Sequence, residues 1–172
     1  MTQPTAEEVR KRNMFTLASA HAVYVECMRE NYGEPGLRAL GEANRLHGLR
    51  LGLEAVEQGA LRRGDLRSIF EFFRAAYPFF GFELSLDTVT DDIIEIRVTR
   101  CPWIDGFRAN RAGADICHWV CMIDHGIGQA VDPTLELSLP VCMMRGDEYC
   151  IYRFRKSTTS PTHHRRTQMQ GR

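Results

Sequence analysis

The hydrophobic pattern of this chain changes its period near residue 80, and that change limits the folds open to it. Up to that point, apolar residues recur at helical spacing, three or four positions apart. Beyond it, residues 82–86 and 94–98 alternate between apolar and polar side chains, as strands with one buried face do. A helical first half followed by an alternating second half predicts the α+β class, with helices packed on an antiparallel sheet.

Three helices are predicted in the first half. The first begins at Thr5, which forms a capping-box pattern with Glu8, and it ends before Gly33. Pro35 suits the first turn of the second helix, which continues to the glycine at position 59. The third helix is predicted over residues 66–76, where a proline two positions later stops it.

Glycines interrupt the second predicted helix at Gly41, Gly48 and Gly52. Glycine lowers helix propensity by about 1 kcal/mol relative to alanine, so we expect these positions to serve close packing against another element. The same helix, within residues 37–56, also offers an interface for a homodimer.

The second half is predicted to contain two hairpins separated by a helix. The predicted elements are a turn at 90–92 in the first hairpin, a helix over 114–129, strands over 135–139 and 149–154, and a turn at 145–148. With the three N-terminal helices they predict a single α+β domain over residues 1–156, built on a four-stranded antiparallel sheet. Residues 157–172 are polar and are predicted to be a disordered tail.

Charge and hydropathy exclude several kinds of partner. Lys and Arg number 22, and Asp and Glu also number 22, so no net charge draws the chain to nucleic acid or to an anionic membrane. No apolar run is long enough to span a bilayer, and the first residues contain no apolar signal region. We therefore expect a cytoplasmic protein whose partner is a small molecule.

Five of the six cysteines fall after residue 100, which concentrates sulfur chemistry in the second half. The six are Cys27, Cys101, Cys117, Cys121, Cys142 and Cys150. Because no secretory signal precedes them, a disulfide framework is not expected, and metal binding or thiol chemistry is the better interpretation. Cys27 and Cys142 are interpreted as packing residues.

One face of the predicted 114–129 helix carries Cys117, Cys121 and Asp124, at positions i, i+4 and i+7. His118 and His125 flank that stripe. A reactive thiolate needs a nearby cation or proton acceptor, and such neighbours provide one. The alternative is that these cysteines are small core residues on an apolar helix face.

Two further positions extend the candidate site. Cys101 precedes a proline at the end of a predicted strand, where a rigid sheet commonly positions catalytic groups. Glu148 and Cys150 share one face of the last strand if its alternation begins at residue 148. The alternative for Glu148 is a solvated hairpin turn.

Cys101, Cys117, Cys121 and Cys150 are the candidate ligands for a zinc or iron ion. Structural zinc sites usually show paired Cys-x-x-Cys motifs, whereas the close pair here is Cys-x-x-x-Cys on a helix. The sequence therefore predicts no metal and no other cofactor, with this four-cysteine set as the alternative.

Several motifs together resemble the L-2-amino-thiazoline-4-carboxylic acid hydrolase family. They are Cys101-Pro102-Trp103, Ile116-Cys117-His118-Trp119-Val120-Cys121-Met122-Ile123-Asp124, Asp132-Pro133, and Gly146-Asp147-Glu148-Tyr149-Cys150-Ile151-Tyr152-Arg153-Phe154. A more distant resemblance is to the 4-vinyl reductase small-molecule-binding domain. The family resemblance implies N-terminal helices packed on a four-stranded antiparallel sheet. It also implies a substrate that is a cyclic, cysteine-derived amidine with a carboxylate.

The resemblance also implies catalytic roles for several of these residues. Cys101 is expected to be the nucleophile, and His118 or Asp124 its proton acceptor. Protonation of the amidine by Asp124 or Glu148 would make its carbon more electrophilic.

Substrate-binding roles follow from the same resemblance. Cys117, Cys121, Cys150, Glu148 and Trp103 are expected to contact the substrate. Its carboxylate needs a cation, for which Arg108, Arg111 and Arg100 are candidates that the sequence does not rank.

Two other functions fit the same motifs. One is a non-catalytic domain that binds a small molecule or a metal. The other is a related biosynthetic enzyme that makes or breaks a C–N or C–S bond.

Overall fold

A computed structural model describes residues 3–157 of this chain, and it confirms the α+β class. The predicted tail lies outside the described residues, apart from its first residue. The helices are α1 (Ala6–Glu57), α2 (Arg67–Ala76), α3 (Trp103–Ala109), α4 (Ile116–Val120) and α5 (Met122–Val131). The strands are β1 (Glu83–Val89), β2 (Ile93–Arg100), β3 (Leu135–Ser138) and β4 (Cys150–Lys156), and short 3₁₀ turns occupy Tyr77–Phe80 and Met143–Arg145.

The long element α1 is two helical arms that meet at Gly33. This residue has φ 59° and ψ −149°, a backbone conformation that glycine adopts without steric cost. In a straight helix, Leu17 and Leu51 would be about 50 Å apart, at a rise of about 1.5 Å per residue. Both line the same cavity, so the chain folds back at Gly33. The predicted helix boundary is therefore confirmed as a sharp reversal.

The start of α1 has the predicted capping box. The Thr5 hydroxyl accepts a hydrogen bond from the Glu8 backbone N–H at 3.2 Å, and the Glu8 carboxylate accepts one from the Thr5 backbone N–H at 2.7 Å. These contacts satisfy amide groups that have no partner within the helix.

The second arm of α1, residues 34–57, packs closely against α5 through glycines. A Cβ at Gly48 would lie 1.8 Å from the carbonyl oxygen of Ile123, and one at Gly126 would lie 2.0 Å from that of Arg45. The close packing expected of these glycines is thus confirmed, and the contact is made within one chain. The homodimer interface expected within residues 37–56 stays a prediction, for which the exposed side of this arm is available.

The sheet has the strand order β1-β2-β4-β3, with every neighbouring pair antiparallel. The alternation in β2 buries Ile94, Ile96 and Val98 on one face. In the register of β2 and β4, Ile96 pairs with Tyr152, and Val98 pairs with Cys150. The second predicted hairpin, β3 and β4, therefore pairs with the first through β4, which lies between β2 and β3 in the sheet.

Two segments differ from the sequence-based expectation. Residues 103–109, to which the sequence pattern assigns no element, form α3, which is too short for a helical period to be visible. Its Gly106 allows close contact with α1, because a Cβ there would lie 2.5 Å from the Cβ of Ala18. The predicted 114–129 helix is instead two helices, α4 and α5, separated at Cys121, where ψ is 2°.

Among the helices within residues 3–157, none combines the length and the hydropathy that crossing a bilayer requires.

The contact between α1 and α5 provides a test of the fold. We expect Gly48→Ala to lower the free energy of unfolding by about 1–3 kcal/mol, because its methyl group would overlap the Ile123 carbonyl. The measurement is urea unfolding followed by circular dichroism. His47→Ala is the control: His47 is exposed and adjacent, and its replacement should change stability by no more than about 0.5 kcal/mol. Equal stability of the two variants would contradict the packing described.

Candidate functional site

A cavity of about 460 Å³ lies among the helices and the inner face of the sheet. Both arms of α1 contribute to its lining, as do α2, the Tyr77–Phe80 turn, α3, α4, α5 and β4. Most of the side chains that line it are apolar. The predicted site residues that it brings together are Cys101, Trp103, Cys117, Cys121, Asp124 and Cys150.

Asp124 is the buried carboxyl of this cavity, with 5% of its surface exposed. Its Oδ1 accepts a short hydrogen bond from the hydroxyl of Tyr77, and the Cys121 thiol is a second partner. Burial raises the pKa of Asp124 to about 7, since the loss of hydration outweighs the two hydrogen bonds, which act in the opposite direction. The carboxyl can therefore both donate and accept a proton near neutral pH.

Tyr77 was not predicted to belong to the site. It follows α2, and its ring stacks on Phe73 with the ring centroids 4.4 Å apart, which aims its hydroxyl at Asp124. Burial, together with the adjacent carboxylate, raises the pKa of Tyr77 well above its ordinary value, so its hydroxyl remains a proton donor. No sequence pattern links it to Asp124, because 47 positions separate the two residues.

Cys121 connects the carboxyl of Asp124 to the sheet. Its Sγ lies 3.6 Å from the hydroxyl oxygen of Tyr152 on β4, and its thiol is also hydrogen-bonded to Asp124. The break between α4 and α5 falls at this residue. Tyr77, Asp124, Cys121 and Tyr152 therefore form one continuous polar group inside an apolar cavity.

Cys101 lines the cavity directly after the end of β2, as the sequence predicted. Burial raises the pKa of its thiol, and the nearby Cys121 and Asp124 raise it further. The backbone N–H groups of Trp103 and Ile104 favour the thiolate and oppose that shift. Cys101 is thus a thiol at neutral pH, and its reaction requires a base.

A second group of thiols joins two cavity-lining cysteines, Cys117 and Cys150, to Cys142, which is outside the lining. Cys142 is fully buried, and the thiols of Cys117 and Cys150 are both hydrogen-bonded to it. These two contacts lower the pKa of Cys142, and the contact with Cys142 raises the pKa of Cys150. The pKa of Cys117 is raised first by its hydrogen bond with Cys121 and then by that with Cys142. The backbone N–H of Met143 also donates to the Cys150 sulfur, at 3.3 Å. The interpretation of Cys142 as a packing residue therefore missed its contacts with two cavity thiols.

His118, predicted as a proton acceptor for Cys101, does not line the cavity that contains Cys101. His118 lies on α4 but is exposed, and its ring packs edge-on against Trp119 with the centroids 4.6 Å apart. The neighbouring His125 also stays outside the cavity lining, where its Nε2 lies 2.9 Å from the Leu135 carbonyl oxygen. Of the two predicted proton acceptors, Asp124 is the one that lines the cavity.

Glu148 and Arg108 were also expected to contact the substrate, and neither lines the cavity. Glu148 is exposed because β4 begins only at Cys150, so the strand alternation does not extend back to it. Arg108 is exposed on α3, and its guanidinium donates to the Met143 carbonyl oxygen at 3.0 Å. The structure therefore does not bring these two residues together with the cavity thiols.

The alternative cations lie elsewhere as well. Arg100 is exposed and pairs with Glu83 at 3.5 Å, and Arg111 is exposed in a left-handed turn with φ 54°. Among residues 3–157, no Lys, Arg or His lines the cavity. The carboxylate of the expected substrate therefore has no basic side chain to pair with in the part of the site that the structure describes.

The four cysteines considered as metal ligands line one cavity without forming a ligand set. Within the described part of the chain, no group of three or more His, Cys, Asp or Glu side chains is arranged to hold a metal ion. The polar atoms of the cavity engage one another instead, through the contacts of Asp124 and Cys142.

The fold and the site define a class of domain in which helices cover one face of a four-stranded antiparallel sheet and enclose an apolar cavity with thiols and one buried carboxyl. The model of the L-2-amino-thiazoline-4-carboxylic acid hydrolase family matches residues 11–154, and the chain belongs to this family. A comparison with curated proteins found no match.

The fold has a solved counterpart in trafficking protein particle complex subunit 3 from Naegleria fowleri, whose crystal structure has palmitic acid covalently bound. The two structures superpose with a TM-score of 0.60 at 18% sequence identity, over 86% of this chain and 96% of that chain. At this identity the similarity establishes a shared fold.

The pKa of Asp124 predicts how stability depends on pH. As pH rises from about 4, the unfolded chain loses this proton first, because the ordinary pKa of aspartate is 3.8 and that of the folded state is about 7. The folded protein then binds more protons than the unfolded chain, so its stability falls with pH, by up to about 1.4 kcal/mol per unit.

Asp124→Asn removes this titration and provides the comparison. Relative to that variant, we expect the free energy of unfolding of the wild type to decrease between about pH 5 and pH 7 and to level off above about pH 8. Urea unfolding of both proteins across this range measures the difference. Parallel pH profiles would show that Asp124 does not have the raised pKa.

Proposed function

We propose that this protein is a thiol-dependent hydrolase that opens a small cysteine-derived heterocycle of the 2-aminothiazoline type at its amidine carbon. One observation carries the proposal: Cys101 and Asp124 line the same cavity, and the pKa of Asp124 lies near 7. A general acid–base works best when its pKa is close to the operating pH. Membership of the hydrolase family supports the same reaction class.

The first half of the reaction forms a covalent adduct. Asp124 accepts the proton of the Cys101 thiol, and the resulting thiolate attacks the carbon between the ring sulfur and nitrogen. The bond from that carbon to the ring sulfur then breaks, and Asp124 returns the proton to the departing sulfur. The product of this step is an isothiourea on Cys101, with no atom gained or lost.

The second half consumes one water molecule. Asp124 takes a proton from the water, whose oxygen attacks the isothiourea carbon. The bond to the Cys101 sulfur breaks, and the thiol recovers its proton. The released product is a carbamoyl-cysteine, and the sum of both halves is hydrolysis of the ring. Tyr77 acts as a positioning residue, since its hydrogen bond holds the Asp124 carboxyl in place.

Variants of the cavity test these assignments. We expect Cys101→Ser to abolish turnover of 2-aminothiazoline-4-carboxylate, and Asp124→Asn to lower kcat by about 10²–10⁴-fold. The measurement is release of free thiol from the substrate, with circular dichroism to confirm folding.

Two controls match these substitutions. Cys27→Ser removes an exposed thiol and His118→Ala removes an exposed imidazole, and we expect both variants to retain activity. Full activity of Cys101→Ser would refute Cys101 as the nucleophile. If Cys121→Ser is then inactive, the nucleophile is Cys121, whose thiol is hydrogen-bonded to Asp124.

A second function is favoured by the apolar lining of the cavity: non-catalytic binding of a long-chain acyl group. The structurally similar trafficking subunit has palmitic acid covalently bound, and here Cys101, Cys117, Cys121 and Cys150 line an apolar cavity. In this case the purified protein would carry a mass increase that hydroxylamine, which cleaves thioesters, removes. Intact-protein mass spectrometry measures it, with Cys101→Ser and Cys27→Ser compared. An unmodified mass that does not change with hydroxylamine would contradict acyl attachment.

A further inference from the structure

The charges of the cavity argue against a free carboxylate on the substrate. Asp124 and Glu54 are its charged lining residues within the described part of the chain, and both are acidic. A second carboxylate placed beside Asp124 would lose its hydration without gaining a cation, which is costly in an apolar interior. An amidine has the opposite preference, because its protonated form pairs with a carboxylate.

The size of the cavity also indicates a substrate larger than the parent ring. A volume of about 460 Å³ lies in the range that accommodates drug-sized ligands, whereas a single five-membered ring with one substituent is much smaller. Such a ring would leave most of the apolar lining without contact, and unfilled apolar space forfeits dispersion energy.

The buried polar groups of the lining contact one another, whereas Glu54 and Gln58, which also line the cavity, are exposed. Tyr77, Asp124, Cys121 and Tyr152 contact one another in series, and Cys101 is adjacent to Asp124 and Cys121. The remaining lining consists largely of apolar side chains from α1, α2, α3 and α5. The cavity thus has one polar end, suited to a reacting amidine, and a large apolar remainder.

We infer that the substrate of this protein is an amidine-containing heterocycle with a hydrocarbon substituent in place of the free carboxylate. This inference rests on the proposed hydrolase function and specifies its substrate class. The amidine lies against Asp124, and the hydrocarbon fills the apolar remainder of the cavity.

A homologous series of compounds tests the inference. The compounds are 2-aminothiazolines with n-alkyl groups of increasing length at the ring carbon that bears the carboxylate in the parent acid. We expect kcat/KM to rise about fourfold per methylene until the cavity is full, which is the ratio expected for burial of one CH₂ group. The parent carboxylate should be the poorest substrate. Faster turnover of the carboxylate than of every alkyl compound would overturn the inference and leave the hydrolase proposal standing.

A charge introduced into the apolar lining sharpens the test. Leu51 is half-buried in the lining, so Leu51→Lys should lower kcat/KM for the alkyl compounds and raise it for the carboxylate. Leu46 lies on the same helical arm, is exposed, and does not line the cavity. Leu46→Lys should therefore behave as the wild type. Identical selectivity of both variants, each shown to be folded by circular dichroism, would overturn the inference.

Binding is measured separately from turnover. Calorimetry of the full chain with unreactive alkyl-substituted aromatic thiazoles reports affinity without chemistry, and we expect affinity to increase with alkyl length. If affinity increases but no aminothiazoline is hydrolysed, the apolar specificity stands and the hydrolase proposal fails. If affinity does not depend on chain length, the inference fails whether or not the ring is hydrolysed.

Discussion

The contact between the second arm of α1 and α5 is the constraint on which the rest of the structure depends. Backbone meets backbone there, because Gly48 and Gly126 leave no space for a side chain between the two helices. The Ile123 carbonyl touches Gly48, and the next residue along the chain is Asp124, which lines the cavity. A small separation of the two helices would therefore move the buried carboxyl relative to Tyr77 and to the thiols. The reversal at Gly33 also shapes the cavity, because it brings the second arm of α1 back to the cavity that the first arm lines.

The buried carboxyl is a group that stability alone would not favour. Burial raises the pKa of Asp124 from its ordinary 3.8 to about 7, so at neutral pH the folded protein holds a partly ionised carboxyl in an apolar interior, which lowers its stability. Groups shifted in this way by burial and specific partners concentrate at functional sites. Asp124 is hydrogen-bonded to the Tyr77 hydroxyl and the Cys121 thiol, and Tyr152 and Cys101 are adjacent to this pair, so the site has several proton donors and one acceptor. That balance suits chemistry in which a thiol must lose its proton and regain it.

The sequence predicted those features that depend on local periodicity. The α+β class, the capping box at Thr5 and the break at Gly33 follow from patterns within a few residues. The stripe of Cys117, Cys121 and Asp124 lines the cavity although the helix is interrupted, because the break at Cys121 preserves the turn between them. The contacts of Tyr77 and Tyr152 could not be predicted, since each joins elements far apart in sequence. His118, Glu148 and Arg108 lie outside the cavity lining for a related reason: proximity to a motif does not determine the direction in which a side chain points.

The position of β4 has a consequence for how the protein is made. This strand is the last element of the described chain, yet it lies between β2 and β3 and carries Cys150 and Tyr152 into the cavity. While the chain emerges from the ribosome, β2 presents an unpaired edge and the helices surround an open apolar hollow until β4 arrives. The protein therefore completes its sheet and its cavity late, in a single closing step. The nascent chain is most exposed to aggregation before that step.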